Sequence, residues 1–88
     1  MTKRNYEEPA YRKWRSDVFN RDGKKCQMPG CSKTKYLNAH HIIKWSSASA
    51  LRFDVDNGIT LCYSCHKKVT GYENHYQSLF QSLVRKNK

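Results

Sequence analysis

Acidic side chains are scarce in this sequence. Its 88 residues include 7 Asp and Glu against 17 Lys and Arg, which gives a formal net charge of +10. Such an excess favours polyanionic partners and influences association rather than fold. Apolar residues are also limited, at 38%. The chain is therefore long enough for one domain with a thin core, and a domain of this size usually needs a staple.

Long apolar segments are absent as well. No run of eighteen apolar residues exists, so we expect no membrane span. The first residues, MTKRNYEE, lack the apolar stretch of a signal peptide, so we expect a reducing, cytoplasmic compartment in which disulfides are rare. We find no internal repeat and no linker. We predict one domain over 1–88, with a loose arm at 1–8 and a basic tail at 86–88.

Four cysteines form two close pairs. Cys26 and Cys31 have the spacing C-x4-C, and Cys62 and Cys65 the spacing C-x2-C. Such knuckles point two sulfurs each at one ion, and four thiolates suit a tetrahedral zinc. The alternative is two disulfides, which an export signal would favour. We predict a structural zinc that ties the two thirds of the chain together and without which the fold is marginal or lost.

The apolar pattern predicts an α+β domain. Tyr11, Trp14 and Val18 follow Pro9 at helical spacing, and Asp22-Gly23 ends that helix. We then expect a strand at 35–43, a loop at 46–50, an Asn-Gly turn signal at 57–58 and a second strand at 59–62. A helix should open at 65–66, capped by Ser64. A last helix at about 73–85 should place on one face the apolar residues Tyr76, Leu79, Phe80, Leu83 and Val84.

Three histidines and one asparagine form an ordered constellation. The string HHI lies at 40–42, Asn57 follows, and His66 ends the string LCYSCH at 61–66. Two imidazoles can bind a divalent cation while a third acts as a base, since histidine titrates near neutral pH. His75 lies outside this set, and we expect it to face solvent.

These motifs resemble the HNH endonucleases of the ββα-metal type. The resemblance covers about residues 11–80 and is carried by YRKWRSDVFNRDGKKCQ at 11–27, LNAHHI at 37–42, RFDVDNGITLCYSCH at 52–66 and GYENHY at 71–76. Small phage and prophage members share this type of pattern, zinc knuckles included. The resemblance implies a small zinc-stapled ββα-metal domain with an N-terminal and a C-terminal helix. It also implies hydrolysis of DNA phosphodiester bonds.

Residue roles follow from the resemblance. His41 would be the general base, and Asn57 would hold the loop between the strands and so orient that base. The alternative for Asn57 is a plain Asn-Gly hairpin turn. His40 and His66 would bind one catalytic ion. Mg²⁺, Mn²⁺, Ni²⁺ or Zn²⁺ could fill that site, although imidazole suits transition ions better than Mg²⁺.

Two alternatives remain open for the histidines. His66 could replace a cysteine at the zinc, or be a free helical residue. Neighbouring side chains on a regular strand point to opposite faces, so His40 and His41 can share a site only where the strand is distorted or ends.

Basic residues near the motifs are candidate phosphate contacts, namely Lys44, Arg52, Lys67 and Lys68. Phosphate contacts give affinity without sequence information. We see no dedicated base-reading helix. We therefore expect double-stranded DNA with weak sequence preference as the substrate, cut by nicking or by double-strand cleavage, and a monomer or weak dimer.

Two other classes of function are compatible with the sequence. A non-catalytic zinc-knuckle module that binds nucleic acid would explain the cysteines and the charge, but would leave His40, His41 and His66 without a task. A phage packaging accessory protein acting with a terminase in a bacterial host cell is the other class, and it rests on the resemblance alone.

Overall fold

The computed structural model describes residues 8–44 and 49–87. Their elements, in chain order, are α1 (Pro9–Arg21), β1 (Leu37–His41), β2 (Gly58–Cys62), α2 (Tyr63–Val69) and α3 (Glu73–Lys86). Two short 3-10 turns, Ser49–Leu51 and Val55–Asn57, precede β2. The α+β class is therefore confirmed. No helix of the described residues has the length and apolarity needed to cross a membrane.

The centre of the fold is an antiparallel pair of strands followed at once by a helix. The register places His41 opposite Gly58 and His40 opposite Ile59. Residues directly opposite each other point to the same face, and successive residues along a strand point to opposite faces. His40 and Ile59 therefore share one face of the hairpin, and His41 and Gly58 share the other.

Helix α1 covers the face that carries His41. Tyr11, Trp14 and Val18 are buried, as the helical spacing predicted. The helix lies close to the strands: a Cβ added at Gly58 would stand 2.5 Å from Val18 Cγ2 and 2.7 Å from Trp14 Cζ2. Position 58 therefore needs a glycine because a helix passes directly over it.

Helices α2 and α3 cover the opposite face. Val69, Phe80 and Val84 form a buried cluster with Ile59 and Leu61. The predicted apolar face of the last helix is confirmed at Phe80 and Val84. The prediction for Leu79 is wrong, since that residue is 39% exposed. A hairpin of two strands offers a narrow surface, and residue 79 lies at the edge of the stripe that covers it.

The first strand is shorter than predicted because of its first residues. Tyr36 has a φ of 56°, a left-handed conformation that a strand cannot contain. Pairing therefore begins at Leu37 rather than at residue 35. At the other end, Ile42 is buried but lies beyond the last paired residue, His41.

The loop and turn predictions differ from the structure in detail. Residues 46–48 lie outside the described residues, and Ser49 begins a 3-10 turn. Gly58 is extended, with φ −124° and ψ 147°, so Asn57 and Gly58 do not form a hairpin turn and that alternative is wrong. The predicted Ser64 cap is also wrong, because α2 begins at Tyr63 with Cys62 in the capping position.

The C-terminal end of the chain returns to the N-terminal helix. Lys86, which we expected in the basic tail, is the last residue of α3. The Asn87 side chain then donates hydrogen bonds to Asp22 Oδ1 at 3.2 Å and to Gln27 Oε1 at 2.7 Å. At the other end, the Glu8 carbonyl accepts a hydrogen bond from the backbone of Arg12. Residues 1–7 and 88 of the predicted arm and tail lie outside the described residues.

Candidate active site

The four cysteines meet at one point beside the hairpin. Their sulfur atoms all lie within 4.8 Å of one another, and Cys31 Sγ is 3.9 Å from Cys62 Sγ. Zinc–sulfur bonds of about 2.3 Å in a tetrahedron place sulfurs roughly 3.8 Å apart. All four are free thiols in the structure. The cluster therefore suits a structural metal such as zinc, and it joins the segment before β1 to the junction of β2 and α2.

The electrostatics of this cluster favour a cation. Burial raises the pKa of the Cys26 thiol, and burial also raises the pKa of the Cys65 thiol. The backbone N–H of Cys65, at the start of α2, lowers the pKa of Cys62 to about 7. Several buried thiolates at one point repel one another, and a bound metal ion removes that penalty.

His40 and His66 form the second candidate metal site. Their ring centroids are 5.5 Å apart, with the rings edge to face. Phe80 of α3 lies behind His40 at 5.7 Å. Within residues 8–44 and 49–87, only the cysteine quartet brings three or more His, Cys, Asp or Glu side chains close enough to bind one ion. His40 and His66 would therefore supply two ligands and leave the other coordination positions to water and substrate.

His66 is fixed in place by the cysteine cluster. It follows Cys65 directly and lies in the first turns of α2. The four sulfurs complete a tetrahedral set without an imidazole. The arrangement therefore gives no support to His66 as a zinc ligand, and it places the His66 ring against His40 instead.

His41 is held on the other face of the hairpin. Its ring stacks on the Trp14 ring, with centroids 4.0 Å apart and planes 12° from parallel. Its Nε2 atom lies 2.9 Å from the carbonyl oxygen of Arg52. A carbonyl oxygen only accepts hydrogen bonds, so Nε2 carries the proton. In the neutral ring the lone pair is then on Nδ1, which is the atom able to take a proton.

The two adjacent histidines thus lie on opposite faces of β1. His40 contacts α2 and α3, whereas His41 contacts α1. His41 is also the last residue of the strand. The end of β1 therefore carries a histidine on each face of the hairpin.

Asn57 joins the two segments that flank the loop. Its Oδ1 atom accepts a hydrogen bond from the Ile43 N–H at 2.9 Å. Its Nδ2 atom donates to the carbonyl oxygens of Ile43 at 3.1 Å and of Leu51 at 3.3 Å. The next residue is Arg52, whose carbonyl accepts the hydrogen bond from His41. Asn57 is therefore hydrogen-bonded to the residue that precedes the partner of His41.

Arg21 and Asp22 support this loop, and sequence reasoning missed their role. Arg21 donates to the carbonyl oxygens of Val55 at 2.7 Å and of Gly58 at 2.6 Å. It also forms an ion pair with Asp22 at 2.8 Å, and Asp22 Oδ2 accepts from the Thr60 N–H at 2.9 Å. Together they fix both ends of the turn before β2. The sequence shows only an Asp-Gly helix stop here and gives no signal of these contacts.

The four candidate phosphate contacts differ in exposure. Lys67 and Lys68 are exposed in the last turn of α2. Arg52 is half-buried. The Lys44 side chain is 55% exposed, and its ammonium group lies 3.8 Å from a carboxylate oxygen of Glu73.

Glu73 is a further charged group of this region that the sequence did not single out. Burial acts to raise its pKa, but the backbone N–H groups of Glu73 and Gly71 and the charges of Lys44 and His40 outweigh burial. The pKa of Glu73 is therefore lowered from its ordinary value of 4.5. The ionised carboxylate of Glu73, at the start of α3, thus interacts electrostatically with His40 in β1 and with Lys44 just after it.

Comparison with known proteins identifies one family. The family model described as HNH endonuclease matches residues 26–71. That stretch contains both cysteine pairs, the two adjacent histidines of β1, Asn57 and His66. Comparisons with curated proteins and with solved structures gave no match.

Proposed function

Because the chain belongs to the HNH endonuclease family, we propose that it hydrolyses phosphodiester bonds of DNA with the help of one divalent metal ion. The observation that carries the proposal is the arrangement at the end of β1. The ring centroids of His40 on β1 and His66 on α2 lie 5.5 Å apart. His41, the next residue of β1, lies on the other face of the hairpin, where its ring contacts Trp14 and the carbonyl oxygen of Arg52.

His41 is the proposed general base. Its Nε2 proton is committed to the Arg52 carbonyl, so Nδ1 takes the proton from the attacking water. The stacked Trp14 ring limits rotation of the imidazole. Asn57 acts through the loop, as a positioning residue, because it fixes the segment that carries the Arg52 carbonyl.

His40 and His66 are the proposed ligands of the catalytic ion. Two imidazoles suit Mn²⁺, Ni²⁺ or Zn²⁺ better than Mg²⁺. When bound, such an ion supplies Lewis-acid stabilisation of the charge that develops on the phosphate and on the leaving oxygen. The chain itself fixes the two rings, one through strand pairing and one through the cysteine cluster.

Electrostatics supports DNA as the substrate. Lys67 and Lys68 offer exposed cations on α2, next to His66. The positive charge of Lys44 is partly balanced by the carboxylate of Glu73, 3.8 Å away. A net charge of +10 favours a polyanion in general. The expected substrate is double-stranded DNA, bound with weak sequence preference. A terminase partner and a phage origin are predicted only by the resemblance to small phage proteins.

Plasmid cleavage tests the proposal. Supercoiled plasmid is incubated with zinc-loaded protein in separate Mg²⁺, Mn²⁺, Ni²⁺ and Zn²⁺ reactions, and nicked and linear products are counted. We expect His41→Ala to lower the rate by roughly 100-fold or more, the usual contribution of a general base. His75→Ala is the matched control, because His75 is an exposed histidine of α3, and it should cleave as wild type does.

Two outcomes would contradict the proposal. Equal cleavage by His41→Ala and wild type would remove His41 from the base position. DNA binding without cleavage in every metal would favour a zinc-knuckle binding module or an accessory protein that needs a partner.

A further inference from the structure

A second surface feature lies at the opposite end of the hairpin from His41. A cleft of about 440 Å³ opens where β1 begins and β2 ends. We call it the tyrosine cleft. Its lining includes Lys33, Lys35, Tyr36, Leu37, Tyr63 and Ser64. None of these residues belongs to the histidine and asparagine constellation.

Two tyrosines present their rings at this cleft. Tyr36 is 83% exposed and Tyr63 is 61% exposed. The buried aromatic residues Trp14 and Phe80, in contrast, are at most 1% exposed. Tyr63 is the first residue of α2 and follows Cys62 directly, so the cysteine cluster fixes its position. The rings contribute little to the core and remain available to a ligand.

The backbone at Tyr36 has a left-handed conformation that is costly for a tyrosine. Its φ is 56°, and a bulky residue with a left-handed φ is a genuine outlier. Glycine or asparagine adopts this conformation at less cost. Backbone strain is found preferentially at functional sites, where the surrounding structure enforces it. An exposed aromatic ring at this position therefore indicates a use outside the core.

The segment of the chain that contains Tyr36 carries charge of one sign. Residues 23–53 contain no Asp or Glu, and their charged side chains are Lys24, Lys25, Lys33, Lys35, Lys44 and Arg52. Two of them, Lys33 and Lys35, line the cleft itself. Aromatic rings combined with cations are the features by which proteins bind single-stranded nucleic acid, because every base has a face that can stack.

We propose that the tyrosine cleft binds one unpaired base of the DNA substrate, stacked on Tyr36 and Tyr63, with the neighbouring phosphates on Lys33 and Lys35. The inference rests on the proposed function for the identity of the nucleic acid, and it adds a substrate class. The preferred substrate is DNA with an unpaired nucleotide near the cut, recognised by structure and not by sequence.

The distance between the tyrosine cleft and His41 sets the expected number of nucleotides between the unpaired base and the scissile phosphate. His41 lies four positions after Leu37 along β1, and a strand rises about 3.3 Å per residue, which makes about 13 Å. Stacked DNA advances about 3.4 Å per nucleotide along one strand. The unpaired base should therefore lie roughly four nucleotides from the scissile phosphate.

Binding is tested without cleavage, so that the two proposals fail separately. Zinc-loaded protein carrying His41→Ala is titrated, with no other divalent ion, into two DNA duplexes. One has an unpaired 2-aminopurine, and the other has the same base paired. We expect about tenfold tighter binding of the unpaired probe, the size of effect typical of one base stacked on aromatic side chains, together with a change in 2-aminopurine fluorescence.

Variants of Tyr36 separate a structural role from a binding role. Asn tolerates the left-handed backbone, so Tyr36→Asn should unfold at a higher temperature than the parent and yet lose most of the tenfold preference. Tyr36→Phe should keep the preference, and Tyr63→Ala should lower it. Tyr72→Ala is the matched control: Tyr72 is 65% exposed but lies before α3, and its removal should leave both affinities unchanged.

The lysines have their own readout. Lys33→Ala with Lys35→Ala should reduce the slope of log affinity against log salt by about 0.7 for each phosphate of a single strand that the variant no longer neutralises. Equal affinity for the two probes, or a preference unaffected by Tyr36→Asn and Tyr63→Ala, would overturn the inference. A preference for the unpaired base in a protein that never cleaves plasmid would support the cleft and count against the nuclease.

Discussion

The side-chain amide of Asn57 hydrogen-bonds to two segments of the chain, one at Ile43 and one at Leu51. It is 6% exposed, and it both accepts from and donates to the backbone. The contact with Leu51 matters most for the proposed mechanism, since the carbonyl of the next residue accepts the hydrogen bond from His41. A residue with one acceptor and two donors at the same end is needed here, and only asparagine has it at this length.

Asn57→Asp removes the two donors and keeps the acceptor and the size of the side chain. The carbonyl oxygens of Ile43 and Leu51 lose their partner and face a carboxylate. We expect a loss of about 2 kcal/mol in the free energy of unfolding, measured by urea denaturation. Cleavage should fall further than stability alone explains, because the partner of His41 shifts. Asn74→Asp, an exposed position of α3, is the control with the same change of charge. Unchanged cleavage in Asn57→Asp would remove Asn57 from the positioning role.

At the scale of elements, periodicity predicted the helices well and the irregular segments poorly. The apolar spacing of Tyr11, Trp14 and Val18 gave the first helix because burial and spacing are directly related. The left-handed Tyr36 and the 3-10 turn before Gly58 have no signature in the apolar pattern. The close passage of α1 over Gly58 and the backbone contacts of Arg21 join residues about 40 positions apart, and local patterns carry no such information.

The first turn of α3 links the last helix to the end of β1 through charge. Glu73 Oε1 lies 3.8 Å from the Lys44 ammonium group, and its other oxygen accepts from the Gly71 N–H at 3.2 Å. These contacts favour the ionised carboxylate, as the lowered pKa of Glu73 shows. The ion pair connects the start of α3 to the segment that follows His41.

Glu73→Gln should therefore change stability in a pH-dependent way. A pKa that is lower in the folded than in the unfolded state stabilises the fold above the unfolded value, and that stabilisation is lost as pH falls through the folded pKa. We expect wild type to melt at a higher temperature than Glu73→Gln at pH 7, and the gap to close below pH 4.5. Thermal unfolding followed by circular dichroism, at matched zinc content, measures it. A gap that is constant or grows at acid pH would contradict the assignment.

At the scale of the whole molecule, helices cover both faces of a two-stranded hairpin. One cluster of four cysteine sulfurs joins the segment before β1 to the junction of β2 and α2. The sequence placed His40, His41 and His66 in one constellation. Strand alternation already indicated that His40 and His41 point to different faces, but the sequence could not show which helix covers each face, because that depends on tertiary packing. The cysteine cluster was predictable from spacing alone, since two short knuckles leave few ways to bring four sulfurs together.

The cluster also connects stability to the candidate active site. Cys26 and Cys31 lie before β1, while Cys62 and Cys65 lie at the junction of β2 and α2. Any metal held by all four ties these segments together. Since His66 follows Cys65 and faces His40, loss of that metal should free one of the two proposed ligands of the catalytic ion.

Removal of the structural metal should therefore unfold the domain and inactivate it together. We expect at least one zinc per chain by metal analysis, held by the four cysteines. A chelator should abolish the near-ultraviolet circular dichroism of the buried Trp14 and the cooperative thermal transition, because the metal-binding free energy of such small domains is a large part of their folding free energy. Adding Zn²⁺ should restore the fold, while adding Mg²⁺ alone should not, because four thiolates suit zinc and not magnesium. Cys26→Ser should behave like the chelated protein, and Ser32→Ala, an exposed neighbour of the first knuckle, should behave like wild type. A metal-free chain that unfolds cooperatively at the wild-type temperature would show that the thin core is sufficient without the sulfur cluster.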